Sequence, residues 1–204
     1  MAITINGTGS ITGLTAGGLP DGSVVAADLA SSLDLTGKTV TLPSGTGGKI
    51  LQVVQGFKSN NYSSTATTTW LDVPDLSVTI TPVAADSNFL LTANIHSGMS
   101  TTGDIQGFRF VRGSTAIGVG TTGTGNQTNA SFSTDSVADA SRTVNGFGCF
   151  LDEDPAYTLG NSLTYKLQMF VWSGTGTINQ PNDTANNHYI YRTTSSITVM
   201  EVAA

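Results

Sequence analysis

The first 49 residues are too poor in apolar side chains to fold as a globule by themselves, and this constrains the chain more than any other feature. They hold ten of its 24 glycines and no aromatic residue. Ile3, Ile5, Ile11, Leu14 and Leu19 come singly, separated by Gly, Thr and Ser. Burying such isolated side chains falls short of the entropy lost on ordering the backbone around them. The segment therefore either stays disordered or is ordered by something else, copies of itself or a partner. An arm of this kind ahead of a β-rich body predicts a component of an assembly.

Within the arm, residues 2–19 alternate loosely and read as short strands with turns at Gly7, Gly9 and Gly13. Gly-Gly-Leu-Pro-Asp-Gly follows as a turn in which Asp21 serves as an N-cap. Val25, Leu29 and Leu33, four residues apart, predict one short helix over 23–33. A helix of two to three turns is marginal alone, so its apolar stripe needs a neighbour. Thr39–Leu42 reads as a further short strand, and PSGTGG at 43–48 as a flexible joint. The expected division is an arm or stalk over 1–49 and a body over 50–204.

The texture changes at Ile50. Strand-like runs, several with period two, occur at 50–57, 76–82, 88–96, 107–111, 115–119, 144–151, 162–172, 188–192 and 196–202. Between them lie turn-forming clusters such as GTTGTGNQTN and SGTGTINQPNDTANN. Short strands punctuated this way, without a helical period, predict an antiparallel sandwich or barrel. In the run 162–172, Leu163, Tyr165, Leu167, Met169 and Val171 share one face, while Thr164, Lys166 and Gln168 share the other. That second face ends in Phe170 and Trp172, which either lie under a loop or mark a subunit interface.

Charged residues make up 11% of the chain, against about 25% in an ordinary soluble domain. Hydroxyl and amide side chains take their place, which suits solvated sheet faces and large contacts that desolvate no charge. The net charge is −6, and the eight Lys and Arg are scattered, so nucleic acid and anionic membrane are poor partners. No apolar run approaches the length of a membrane span. The opening MAITINGTGS lacks the basic and apolar regions of a secretion signal, which predicts folding in a reducing cytosol. The single Cys149, flanked by apolar residues in FGCFL, reads as a buried and inert thiol.

Several patterns imitate catalytic motifs and fail on context. Gly118, Gly120 and Gly123 match GxGxxG, but Thr-Gly-Asn-Gln-Thr-Asn after them opens no helix, so no anion site forms. Gly37-Lys38-Thr39 resembles the end of a phosphate loop, yet Ser32 stands where its first glycine belongs. His96 and His188 are far apart and read as structural or exposed. Asp152-Glu153-Asp154-Pro155 could share Ca²⁺, but an acidic turn closed by proline accounts for it more simply. Paired acids for glycoside cleavage have no signature here. The expectation is no catalytic residue, no metal site and no cofactor.

The opening ITINGTGSITGLTAGGLPDGSVVAADLA, then LTGKTVTLPSGTGGKILQVVQ, TWLDVPDLSVTITPVAADSNFLL, FRFVRGSTAIG, LTYKLQ and the ending SSITVMEVAA resemble tail-fibre-like virion proteins of tailed bacteriophages, especially those of aquatic hosts. The order of these pieces along the chain is more telling than any one of them. The resemblance implies a homotrimer located in the virion after synthesis in the host cytoplasm. Its arm would join other tail or capsid proteins or form a slender stalk. Its jelly-roll-like β-sandwich would face outward and recognise a host surface glycan or protein. With one arm and no extended shaft, the chain reads as a short tail fibre or tail appendage. A capsid decoration or cement protein and a carbohydrate-binding module are the alternatives.

Three parallel copies would turn Ile3, Ile5, Ile11 and Leu14 toward a common axis, each burial contributing roughly 1.5–3 kcal/mol. Val25, Leu29 and Leu33 would form a three-helix collar, with Phe170 and Trp172 as further trimer contacts. Receptor contacts are expected on the polar loops 120–131 and 174–187. The candidates there are Asn126, Gln127, Asn179, Gln180 and Asn182, with Tyr189 or Trp172 as a stacking face.

Overall fold

A computed structural model describes residues 49–135, 139–153 and 155–204. The expected arm strands and helix, with Ile3, Ile5, Ile11, Leu14, Val25, Leu29 and Leu33, lie outside the described residues, as does Asp154. The described chain is mainly β. Its strands are β1 (Ile50–Lys58), β2 (Tyr62–Ser64), β3 (Trp70–Ile80), β4 (Asn88–Met99), β5 (Gln106–Arg112) and β6 (Thr115–Ile117), followed by β7 (Phe132–Ser133), β8 (Val144–Asp152), β9 (Leu163–Val171), β10 (Gly176–Ile178) and β11 (Ser195–Val202).

They form two antiparallel sheets in a β-sandwich-like arrangement. In the first, β4 is central. β8 runs along one side of it, and β11 then β10 share the other, with β1 outside β11 and β2 outside β10. The second runs β3–β9–β5, with β6 and β7 both pairing the far side of β5. One core lies between the sheets. Phe89, Leu91, Ala93, Ile95, Ile197 and Val199 come from the first, and Val78, Ile80, Phe108, Phe110, Tyr165, Leu167, Met169 and Val171 from the second. Every one of these belongs to a period-two set, so alternation alone decides which side of each strand is buried.

One strand breaks the alternation, and another keeps it with glycines on its inner face. In β3, the register slips between Asp72 and Ser77, and Asp75 takes a left-handed φ of 67°. Val73 and Leu76 both point inward across this bulge. In β8 the inward positions 146 and 148 are glycines, because the Phe132 ring of β7 occupies the space a Cβ at Gly148 would need. That ring stacks on Phe108 at 5.3 Å, closing one side of the core. The glycines leave Asn145, Phe147, Cys149 and Leu151 facing outward. Cys149 is therefore exposed, contrary to the reading of its apolar neighbours as a sign of burial.

Residues 188–192, expected as a strand, form turns and irregular backbone. The polar residues just before them do structural work. Asn179 is buried with φ 63°, a left-handed conformation that Asn tolerates. It donates to the Lys58 and Asn60 carbonyls at 2.9 Å each, while its side-chain oxygen accepts from Ser195 at 2.6 Å. Gln180 is also buried and accepts from Arg192 at 2.9 Å.

Two carboxylates are buried with full sets of donors. Asp152 on β8 accepts from Arg112 of β5 at 2.6 Å and from the Tyr165 hydroxyl of β9 at 2.8 Å. Burial, then the bond to Asp152, pushes the Tyr165 pKa well above its ordinary value. Glu201 on β11 accepts from Gln52 at 2.5 Å, Ser87 at 2.8 Å and the Val83 and Ala84 amides at 3.1 Å. Burial alone would raise its pKa, but these donors hold it below the ordinary carboxylate value. The Tyr157 hydroxyl completes this clamp, accepting from the Ser87 amide at 2.7 Å and donating to the Ala84 carbonyl at 2.8 Å.

Candidate functional site

A concavity of about 740 Å³ lies at one end of the second sheet. Its floor is built on the outward face of β5 and β9, where Gly107 leaves an open position beside Phe170. Phe170 is half-buried against Trp70, with ring centroids 5.3 Å apart. The Arg109 guanidinium lies over the Trp70 ring, 4.3 Å from its centroid. Two residues beyond Phe170, where β9 has ended, Trp172 lines the concavity with 60% of its surface exposed.

Two loops make the walls. One contains Gly103, Asp104 and Ile105, between β4 and β5. Its Asp104 carboxylate accepts a short hydrogen bond from Ser173, and Ser100 and Thr175 bond reciprocally through amide, carbonyl and hydroxyl. The other wall is the loop between β6 and β7, contributing Gly120, Thr122, Gly123 and Gln127–Ala130. The chain leaves β6 at Gly118, whose left-handed φ of 59° puts it against the Phe150 ring where no side chain fits. Gln127 accepts from the Thr124 amide at 2.9 Å, and Asn129 accepts from the Gly123 amide at 3.1 Å. Ser131 then pins the returning chain, donating to the Ile117 carbonyl and accepting from the Phe110 amide, both at 3.1 Å. The side-chain oxygens of Gln127 and Asn129 thus shape the loop, so its polar lining is held in place rather than left to solvent.

The lining combines aromatic surface with amide and hydroxyl groups and includes one carboxylate, Asp104, and no cationic side chain. Such a surface can stack on a ring or the C–H face of a sugar and hydrogen-bond to hydroxyls. Its volume falls inside the range of ligand pockets, roughly 300–1,000 Å³.

The sequence candidates separate in space. Gln127, Phe170 and Trp172 meet in this concavity, and Asn126 sits on the exposed loop beside it without lining it. Asn179 and Gln180 do not: both are used inside the fold, and a ligand would have to displace the bonds described above. Asn182 is half-buried elsewhere. Tyr189 lines a second concavity of about 640 Å³ with Tyr191, Arg142, Asp139 and Pro181. Asp104, Ile105 and Asn129 are lining residues that sequence reasoning did not single out. Only Asn129 carried a signal, as one of the amides in the loop 120–131.

Among the described residues no group of three or more His, Cys, Asp or Glu is placed to hold a metal ion, and no helix is long and apolar enough to cross a membrane. Asp152, the first acid of the acidic cluster, is committed to Arg112 and Tyr165. Neither a protein-family model nor a curated protein matches the chain.

Proposed function

We propose that this chain is a non-enzymatic structural protein of a tailed-phage particle, a short tail fibre or tail appendage assembled as a homotrimer. On this reading residues 1–49 attach it to other virion proteins, and the jelly-roll-like body contributes to host attachment. The observation that carries the adhesive part is the cleft, in which exposed Trp172 stands over a polar, cation-free lining of fixed loops. Its chemistry fits a surface saccharide: the indole takes an apolar sugar face, and Gln127, Thr128, Asn129 and Ser133 are available in type for hydroxyl groups. The virion assignment is supported by the order along the chain of the segments that resemble tail-fibre-like proteins, and by a low charge content that favours broad contacts.

An antibody against the chain, imaged by electron microscopy on the particles of the phage that encodes it, tests the assignment. Label on the tail is expected. Label on the head favours the decoration protein, and unlabelled particles refute both. For the cleft, Trp172→Ala should weaken binding on a glycan array about tenfold, equivalent to ~1.4 kcal/mol, with the melting temperature unchanged. A wild-type chain that binds no saccharide, or a variant that binds equally well, removes the adhesive role.

A further inference from the structure

The two outer sheet faces are chemically unlike. On the second sheet, Asp72 takes Lys166 and Gln168 at 2.7 Å each, and Arg109 donates to Gln168 at 2.8 Å, an ordinary solvated network of charge. The outward side chains of β1, β11, β4 and β8 include no Asp, Glu, Lys or Arg over the paired region. The register places them in cross-strand rows. Val53, Met200, Leu90 and Leu151 form one continuous apolar row across all four strands. Four residues along, Phe57 and Phe147 end another row at the two edges of the sheet, 55% and 63% exposed. Cys149 lies in the row between these two rows.

We infer that this uncharged outer face is where copies of the chain meet. The argument is one of charge. A molecule of net charge −6 repels its copies over most of its surface, but here two copies can approach with no ion to desolvate and none to leave unpaired. A face without charge also carries no sign with which to select a charged partner, whereas every copy around a common axis brings the same uncharged surface to it. In size, four strands at ~4.8 Å spacing and seven residues at ~3.4 Å make about 19 by 24 Å, or roughly 450 Å² of sheet plane. A standard interface takes ~800 Å² per partner, so the face supplies the apolar centre and its surroundings the rim. The inference takes from the proposed function only that the chain self-associates; the place of contact is read from the sheet.

Cys149, the chain's single cysteine, reports on the face directly, because it is exposed in one copy and would be covered between two. The full-length chain is examined by sedimentation velocity at micromolar concentration while maleimide labelling of Cys149 is timed with and without guanidinium. An oligomer whose thiol labels about a hundredfold more slowly than in the denatured chain is expected. Val53→Asp with Phe147→Asp, both at exposed positions, should then reduce the oligomer and bring labelling to within about tenfold of the free rate, with circular dichroism unchanged. An oligomer with a freely reactive thiol overturns this interface while leaving self-association intact. A monomer overturns both, whether its thiol is reactive or is covered by the chain's own remaining residues. Unchanged mass and protection in the double variant also overturn the interface, and labelling of the unmutated chain keeps the test valid if the variant does not fold.

Discussion

Replacing Glu201 by Gln tests the physical account of the body most directly, because it alters charge at nearly constant shape. The carboxylate ties the segment after β3 to the last strand: one oxygen accepts from Val83, Ala84 and Ser87, the other from Val83 and Gln52. In the variant the best amide orientation keeps the oxygen facing the first three donors and turns an NH₂ toward Gln52. Gln52 cannot rotate to accept it without giving up its 2.7 Å bond to the Thr81 carbonyl. Bonds to an ionised acceptor contribute ~1.5–3 kcal/mol and neutral ones ~0.5–1.5, so three weakened bonds and one conflict, partly relieved by relaxation, cost about 2–4 kcal/mol. For a body of this size that lowers the melting temperature by roughly 5–15 °C at pH 7. Acid adds a signature. The folded-state pKa of Glu201 is depressed, so its contribution is complete above the ordinary carboxylate range and is lost as pH falls through the lower folded value. The gap between wild type and Glu201→Gln should therefore close as pH falls below about 4. Thermal melts at fixed protein concentration, followed by circular dichroism from pH 7 to pH 3, supply the measurement. A shift below about 1 °C, or a gap that persists in acid, would show that the clamp does not act through its charge.

Two further substitutions probe the core. Gly148→Ala drives a methyl into the Phe132 ring and should cost about 1–3 kcal/mol by overpacking, read as a lower urea midpoint; an unchanged midpoint would mean that β7 yields freely. Tyr165→Phe removes the hydroxyl from Asp152 and should cost ~1.5–3 kcal/mol with the slope of the transition unchanged. A loss under ~0.5 kcal/mol would show that Arg112 alone satisfies the carboxylate.

The strands that alternate were legible in the sequence, and those that do not were missed. β4, β8, β9 and β11 are recovered almost to the residue because each separates an inner from an outer face. β10 has all three residues buried, so it offers no alternation to read. The first half of β3 was hidden by the bulge that turns both Val73 and Leu76 inward. The apolar neighbours of Cys149 are no guide to its burial, because the two glycines beside the Phe132 ring set the parity of β8. In the candidate site, the pairing of Phe170 with Trp172 on one strand face was visible, and so was the polar loop facing them. The exclusion of Asn179 and Gln180 was not, since an amide that caps buried carbonyls has the same letter as one that meets a ligand.

The place of β11 has a consequence for how the body comes into being. It is the last of the described strands, yet it lies between β1 and β4, with Ile50 opposite Val202 and the Ala203 amide bonded to the Lys49 carbonyl at 2.7 Å. During synthesis β1 and β4 must wait, each with an unpaired edge, until residues 195–202 leave the ribosome. Pairings that span the whole body close the costliest loops last, so the first sheet forms slowly for its size. A chain stopped a dozen residues early would lose Ile197, Val199 and Glu201 together and keep a sheet with a missing central strand, primed to accept a strand from a neighbouring chain.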